Sequence, residues 1–293
     1  MVSIVLVTNT QAGTADADAV EAARAKLAIG ADVEVVRADG VDDLDRLLRA
    51  LDGRMLVLAG GDGSVHLAVG RLLRQDPALL AGTTIGLVPL GTGNDLARGL
   101  GIPTDPTEAA ELCQTGTPRP LDLIVTDRGG VVVNTAHAGL GAAASERAMP
   151  MKGALGPFAY PFGAIIAGVR EGAWDLEIAV DGEVTHSGPT LMVGVGNAPY
   201  VGGGTCLLPR AVPDDGLLDV MVVTGISPAA RIAFGAALYQ ASHLDRADVI
   251  SRRGRSVTIT GDEVTHVLDG ELVRDLASCT YTIRPEAWRI VAP

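Results

Sequence analysis

Aromatic side chains are scarce: Trp, Tyr and Phe make up 3% of the 293 residues, so any core must be built from Val, Leu, Ile and Ala. Cysteine is scarce as well, with Cys113, Cys206 and Cys279 widely scattered and no CxxC pair. That pattern fits reduced, buried thiols and excludes a disulfide framework. The five histidines, His66, His137, His186, His243 and His266, show no HExxH spacing and invite no zinc assignment. Positive charge is in deficit, 23 Lys and Arg against 35 Asp and Glu, for a net charge of −12. This argues against nucleic acid as a partner and against adhesion to anionic lipid by overall electrostatics, so any membrane contact has to be local, apolar or transient. Long apolar runs are missing too. The longest low-charge stretch, Gly153 to Val169, is interrupted by Pro157 and Pro161 and falls short of the about 18 to 20 residues of a membrane span. Met1-Val2-Ser3 lacks the basic start of a signal peptide, and Ile4 to Val7 is only strand-sized, so a cytoplasmic protein is expected. GxSxG, Walker A and a GxGxxG after the first strand are all absent, which leaves hydrolase, P-loop and dehydrogenase readings without their chemistry.

Glycine, in contrast, is abundant at 37 residues, and its placement is informative. The apolar run Met55 to Ala59 leads directly into Gly60-Gly61-Asp62-Gly63-Ser64. Glycines can take the backbone angles of a tight strand-to-helix turn, and without Cβ they let phosphate oxygens approach N–H groups at a helix N-terminus. A lone acid in such a loop, Asp62, suits a partner of Mg²⁺. A second run, Thr84 to Pro89, leads into Leu90-Gly91-Thr92-Gly93-Asn94-Asp95, again with glycines, a hydroxyl, an amide and a carboxylate where a helix begins. Asn94 or Asp95 can serve there as N-cap. In a parallel sheet, loops after successive strands open on the same edge, so the two can face one ligand.

At this length two domains are expected. Strand-like runs at Ile4–Thr8, Val33–Arg37, Met55–Ala59 and Thr84–Pro89 alternate with helical stretches at Ala15–Ile29, Asp42–Leu51, Val65–Arg74 and Asp105–Gln114, which predicts an α/β domain with a parallel sheet. After Pro118-Arg119-Pro120 the pattern changes to strands joined by turns: Leu121–Thr126, Val131–Ala136, Asp175–Val180, Thr190–Val195, Leu217–Val223, Ser256–Thr260 and Thr280–Ile283. Asp127 to Gly130 and Asp181-Gly182 read as hairpin turns, so the second part is predicted to be an antiparallel β-sandwich or barrel. The boundary falls near Arg119 to Asp122, giving domains over 1–121 and 122–286.

Taken in order, the motifs resemble the diacylglycerol kinase catalytic-domain family, whose bacterial members are soluble lipid kinases. The resemblance rests on Gly60 to Ser64 and Gly91 to Asp95, Leu155-Gly156-Pro157-Phe158-Ala159-Tyr160, Gly196-Asn197 with Gly202-Gly203-Gly204, Asp214-Asp215-Gly216-Leu217-Leu218-Asp219-Val220, and Asp269-Gly270-Glu271. It implies a nucleotide-binding domain followed by a β-sandwich lipid domain, with 287–293 returning to the first. It further implies ATP and Mg²⁺ as cofactors, a membrane lipid such as diacylglycerol as acceptor, and transient contact with the inner face of the membrane. A homodimer is compatible with it. By the same resemblance Asn9, Gly13, Gly60, Gly61, Asp62, Gly63, Ser64, Gly91, Thr92, Gly93 and Asn94 hold the nucleotide, and Asp62, Asp95, Asp269 and Glu271 carry the transfer. Asp215, with the carbonyls of Val212 and Leu217, would form a structural Mg²⁺ site. The chain departs from the family at Asn9-Thr10, where Asn-Pro is usual, at His66 and Leu67, where Asn and Glu often stand, and at Ala38, often Thr.

Several residues also have plain readings. Asp-Asp-Gly is a common solvated turn. Asp-Gly-Glu occurs twice, at Asp181 and at Asp269, and only order along the chain favours the second copy. The apolar stretches Ala154–Val169 and Pro228–Ser242 are expected to pack in a core, with lining of a lipid groove by Phe158, Tyr160 and Phe162 as the alternative. An NAD kinase and a non-catalytic nucleotide-binding regulator are the rival functions.

Overall fold

The structure is a computed structural model that describes residues 2–9, 14–140 and 172–293. Gly13, the Leu155–Tyr160 segment and the helix expected over Ala154–Val169 lie outside them. The chain divides into two compact units, Met1–Asp122 with Glu286–Pro293, and Leu123–Pro285.

In the first unit the strands are β1 (Val2–Asn9), β2 (Ala31–Ala38), β3 (Met55–Gly60) and β4 (Thr84–Pro89). The helices are α1 (Thr14–Leu27), α2 (Val41–Arg49), α3 (Asp62–Gln75), α4 (Pro77–Gly82), α5 (Asp95–Leu100) and α6 (Pro106–Thr115). The sheet runs β2-β1-β3-β4, all parallel. β3 and β4 are buried almost throughout, as strands covered on both faces must be, whereas the edge strand β2 is half exposed. On α3, Val65, Ala68, Val69 and Leu72 recur at helical spacing and form its buried face. The short α4 was not expected from the sequence. It starts where Asp76 accepts the N–H of Ala78 at 2.8 Å and Pro77 occupies the first helical turn.

The last strand of the chain, which begins in the second unit, ends beside β4, with Arg289 opposite Thr84 and Ile290 opposite Ile85 in parallel. Trp288, 1% exposed, donates its indole N–H to the Asp122 carbonyl at 3.0 Å. The Asp122 carboxylate accepts the N–H of Glu286 at 2.9 Å. One aspartate thus secures the place where the chain leaves this unit and the place where it returns.

The second unit is antiparallel. The chain enters it through β5 (Thr117–Thr126) and continues with β6 (Val131–Val132), β7 (Thr135–Gly139), β8 (Trp174–Val180), β9 (Glu183–Thr190), β10 (Met192–Gly196), β11 (Tyr200–Val201) and β12 (Thr205–Cys206). β13 (Leu218–Val223), α7 (Pro228–Tyr239), β14 (Val249–Gly254), β15 (Ser256–Leu268) and β16 (Glu271–Ala292) complete it. Neighbours run β14-β13-β10-β7-β15. β15 changes partners along its length: Val257 to Gly261 pair with β8, and His266 to Leu268 pair with β7. The register breaks between, around Thr260 to Val264, where Gly261 (φ 133°) lies so close to Asp175 that a Cβ would sit 2.2 Å from its carbonyl oxygen. A break in register of this kind lets one strand change partners and turn the corner of a sandwich. The core is aliphatic, with Ile124, Val132, Ile178, Val193, Val220, Val257 and Ile259 around Tyr281.

β9 and β14 were not foreseen. β9 carries Gly188 and Pro189 and pairs only with β8 among the described strands, the edge position where proline is tolerated. β14 reads Val-Ile-Ser-Arg-Arg-Gly, too polar to stand out. The expected strand Thr190–Val195 is instead the end of β9 and the start of β10, joined at Leu191.

Candidate active site

The two glycine loops follow β3 and β4 at the C-terminal edge of the parallel sheet, and they touch. A Cβ on Gly61 would lie 2.9 Å from Gly91 Cα, and one on Gly91 would lie 2.6 Å from Gly61 Cα. Only glycine fits at either position. Leu90 donates its N–H to the Gly60 carbonyl at 3.0 Å, and a Cβ on Gly60 would collide with Ser64 Oγ at 2.2 Å. Gly63 stands exposed in the first turn of α3 with open space around it. Helix geometry leaves the leading N–H groups of that turn without intrahelical partners, so they are available to an anion.

Asp62 connects the loops. Its two carboxylate oxygens accept the N–H groups of Asp95 and Leu96, each at 2.9 Å, and so cap α5 from a different loop. The N-cap residue of α5 by position, Asn94, makes no side-chain cap bond. It sits in the left-handed region (φ 51°), which asparagine tolerates, and its amide closes a ring with Gly91, accepting from Gly91 N at 3.0 Å and donating to Gly91 O at 2.8 Å. Asp95 opens α5 and is 5% exposed, while Thr92 is exposed at the loop tip. The structure therefore gives Asp62 and Asn94 positioning work within the loops: each oxygen of Asp62 spends a lone pair on α5 before any metal is considered. Asn9 ends β1, also at the C-terminal edge. His66 is buried on α3.

In the second unit, Asp269 (φ 48°) and Gly270 (φ 97°) form the turn between β15 and β16. The Asp269 carboxylate accepts the N–H groups of Val133 at 2.6 Å, Asn134 at 2.9 Å and Thr135 at 3.1 Å, and its own N–H donates to the Thr135 carbonyl at 3.1 Å. Thr135 lies opposite Gly196 on β10, and Asn197 N–H donates to the Asn134 carbonyl at 3.1 Å. Asp269 thereby fastens together Asn134, Gly196-Asn197 and its own hairpin. Glu271, exposed at the start of β16, is the acid of this pair that the clasp leaves on the surface.

Behind the clasp lie His266 on β15 and His137 on β7, both buried. His266 Nδ1 shares a 2.6 Å hydrogen bond with Tyr281 Oη. Burial pushes both histidines down to about 4, with His266 adding to the effect on His137, and it raises the Tyr281 phenol. They are neutral near pH 7 and belong to the core. Cys279 beside them is pushed up to about 11 by burial, and Cys113 in the first unit to about 12, so both stay thiols.

In the loop Asp214 to Leu217, where a metal ion was expected with the Val212 and Leu217 carbonyls, the Asp215 carboxylate is already engaged. Asp215 Oδ1 accepts the Leu217 N–H at 3.1 Å, and Oδ2 is in an ion pair with Arg253, which also reaches Asp219 at 3.2 Å. Among the described residues no group of three or more His, Cys, Asp and Glu is gathered to hold a metal ion. A depression of about 410 Å³ lined by Ser3, Asp52, Arg54 and Thr84 lies at the N-terminal edge of the parallel sheet, away from both glycine loops. Arg253 and the Val133–Thr135 amides were missed from the sequence. Nothing local marks either: β14 reads Val-Ile-Ser-Arg-Arg-Gly without alternation, and backbone amides carry no residue identity.

Comparison with known proteins agrees with this arrangement. The profile of the diacylglycerol kinase catalytic domain matches residues 3–126, and that of the YegS C-terminal NAD kinase beta sandwich-like domain matches 134–292. A protein of Xanthomonas euvesicatoria pv. vesicatoria named "Probable lipid kinase YegS-like" is 33% identical over 258 residues, 84% of this chain and 82% of that one. Another of that name from Stenotrophomonas maltophilia is 35% identical over 176 residues, 58% of this chain and 56% of its own length. The crystal structure of a diacylglycerol kinase from Bacillus anthracis superposes with a TM-score of 0.79 over 100% of this chain and 97% of that one, at 23% identity, a likeness of fold. No described helix is long and apolar enough to cross a membrane.

Proposed function

The chain belongs to the YegS-like family of lipid kinases, and on that footing we propose that it transfers the γ-phosphate of ATP to the hydroxyl of a membrane lipid, with diacylglycerol as acceptor and phosphatidic acid as product. The observation that carries this reading is the interlock of Gly61 with Gly91 under the Asp62 clasp, which presents two backbone loops and a helix N-terminus at the sheet edge where α/β folds bind ligands.

Phosphoryl transfer asks a protein for positioning, charge neutralisation and a base. Gly60, Gly61, Gly63, Ser64, Gly91, Thr92 and Gly93 surround the nucleotide phosphates, with the leading N–H groups of α3 and the hydroxyls of Ser64 and Thr92 as donors, and Asn9 ends β1 at the same sheet edge. Mg²⁺ bound with the nucleotide would supply neutralisation of phosphate charge, and Asp95, the acid of the second loop, would help to hold it. Glu271 takes the proton of the lipid hydroxyl as its oxygen bonds to the γ-phosphorus and the bond to the β-phosphate bridge breaks, releasing ADP. An already ionised carboxylate can do this because the hydroxyl loses its proton only as the new bond forms. Asp269 holds the loop from which Glu271 works. The enzyme acts at the cytoplasmic face of the membrane through transient contact, without nucleic acid as a partner.

The test is transfer of labelled phosphate from ATP onto mixed micelles carrying diacylglycerol, monoacylglycerol, phosphatidylglycerol, ceramide or a sphingoid base, with NAD as a soluble acceptor. Labelled phosphatidic acid as the main product is expected. A larger signal on another lipid replaces the acceptor; phosphorylation of NAD, or ATP binding with no transfer to any acceptor, overturns the reading.

A further inference from the structure

The family resemblance implies a divalent cation at Asp215, and in this structure the Asp215 carboxylate is in an ion pair with Arg253. Arg253 stands on β14 directly opposite Asp219 on β13, between the register pairs Leu218 with Gly254 and Val220 with Arg252. Its guanidinium is therefore positioned by two strand backbones. From there Nη2 pairs with Asp215 Oδ2, and Nε reaches Asp219 Oδ2 at 3.2 Å. Asp219 is 4% exposed, and an acid so placed keeps its charge only beside a cation. Burial pushes its carboxyl up, Arg253 pulls it back, and Arg253 itself is raised, first of all by Asp215. Asp215 Oδ1 meanwhile takes the Leu217 N–H at 3.1 Å and closes the turn. A hard divalent ion asks for oxygen donors and water. At Asp215 it would meet a positive charge already bound to the ligating oxygen.

We propose that Arg253 is the resident counter-cation of the Asp215–Asp219 loop, taking in this chain the place of a structural Mg²⁺ and making the loop independent of metal. The inference takes from the kinase reading only the expectation of an ion. Its test uses neither nucleotide nor lipid, so it can fail while phosphate transfer is observed, and it can hold where transfer is not.

The experiment is thermal unfolding of the full chain with and without millimolar Mg²⁺ at constant ionic strength, for wild type, Asp215→Asn, Arg253→Gln, Arg253→Lys and Arg253→Gln/Asp215→Asn. Wild type and Asp215→Asn are expected to respond equally to Mg²⁺, since whatever ion binds elsewhere binds both. A Mg²⁺ shift of roughly 3 °C or more that Asp215→Asn loses would overturn the proposal, and this arm needs no variant of Arg253 to fold. Arg253→Gln is expected to melt lower, with Arg253→Lys recovering most of the loss because the charge is kept; an Arg253→Gln variant as stable as wild type also overturns it. With the guanidinium gone, Mg²⁺ is expected to raise the melting temperature of Arg253→Gln and not that of the double variant. No such rise means that Arg253 does not stand where an ion would, and the substitution claim fails.

Discussion

The tripeptide Asp-Gly-Glu occurs twice in the second unit, and the two copies fold alike. Asp181 and Asp269 take φ of 50° and 48°, and Gly182 and Gly270 take 82° and 97°. Each pair turns one strand into the next, β8 into β9 and β15 into β16. In each the carboxylate accepts backbone N–H groups from a distant segment, Arg255 and Ser256 at 2.8 Å for Asp181, and Val133, Asn134 and Thr135 for Asp269. The glutamates are exposed in both. The difference lies in what is held. Asp181 fastens the turn between β14 and β15, a purely structural corner. Asp269 fastens the link between β6 and β7, to which Asn197 is also bound. The tripeptide is thus a clasp first, and its chemistry comes from the segment it closes on.

The sharpest way to break this comparison is to neutralise the two glutamates. Glu271→Gln is expected to lose about two to four powers of ten in turnover, the usual effect of removing a general base, whereas Glu183→Gln leaves turnover within error. Steady-state rates at saturating ATP and lipid decide it. Equal losses, or none in Glu271→Gln, would mean that the base lies elsewhere.

The next largest effect separates the clasps themselves. Asn in place of Asp269 turns an NH₂ group toward backbone donors, and bonds to a charged acceptor contribute about 1.5–3 kcal/mol. Asp269→Asn should therefore lower both stability and turnover, the latter by about 10- to 100-fold through misplacement of Glu271. Asp181→Asn, at an exposed corner, should lower the melting temperature slightly and leave kcat alone. A loss of kcat in Asp269→Asn with no loss of stability would instead make its carboxylate a reacting group.

Why one copy was preferred from the sequence, and why its mechanism was not visible there, has a physical answer. Strand and helix alternation up to Pro118 and the two glycine loops are local signals, so the parallel sheet and the loops at one edge could be read directly. Asp62 shows the limit. Alone in a glycine loop it suggests a metal ligand, yet its oxygens cap α5, a helix that begins more than thirty residues later. A carboxylate that binds backbone N–H groups leaves no trace in the identity of its partners, because every residue but proline offers the same donor. The same holds for Asp269 and the Val133–Thr135 amides. Arg253 was missed for a different reason: its meaning depends on lying across from Asp219, and β14 was too polar to be recognised as a strand.

A third difference is set by pH. His137 and His266 lie behind the Asp269 clasp, with values pushed down by burial to about 4, below the ordinary 6.5. Between those limits the unfolded chain takes up protons that the folded chain refuses. Stability is therefore full above about pH 6.5 and falls as pH drops toward 4, by at most about 3 kcal/mol per histidine. Hydrogen-exchange protection at pH 7 and pH 5 should show the amides of Val133 to Thr135 loosening before those of Arg255 and Ser256. His137→Gln and His266→Gln should flatten the pH dependence of the melting temperature. An unchanged slope in both would assign acid sensitivity to other groups.

The smallest effect tests whether the two turns are as alike as their angles. Gly182 and Gly270 both have positive φ, and a Cβ on either would meet nothing within 4 Å, so the only penalty for alanine is the backbone conformation. That penalty is about 1 kcal/mol, which for a chain of this size lowers the melting temperature by about 2–4 °C. Gly182→Ala and Gly270→Ala should therefore be destabilised equally, because strain at a turn does not depend on what the neighbouring carboxylate holds. Turnover should separate them even so. Relaxing the strain at Gly270 shifts Glu271, its immediate neighbour, and a displacement of a few tenths of an ångström is enough to slow a proton transfer severalfold. The same shift at Gly182 moves Glu183, which meets no substrate. Unequal melting temperatures would show that the two hairpins differ already in their backbones, and the contrast between their carboxylates would then have to be argued from the turns themselves.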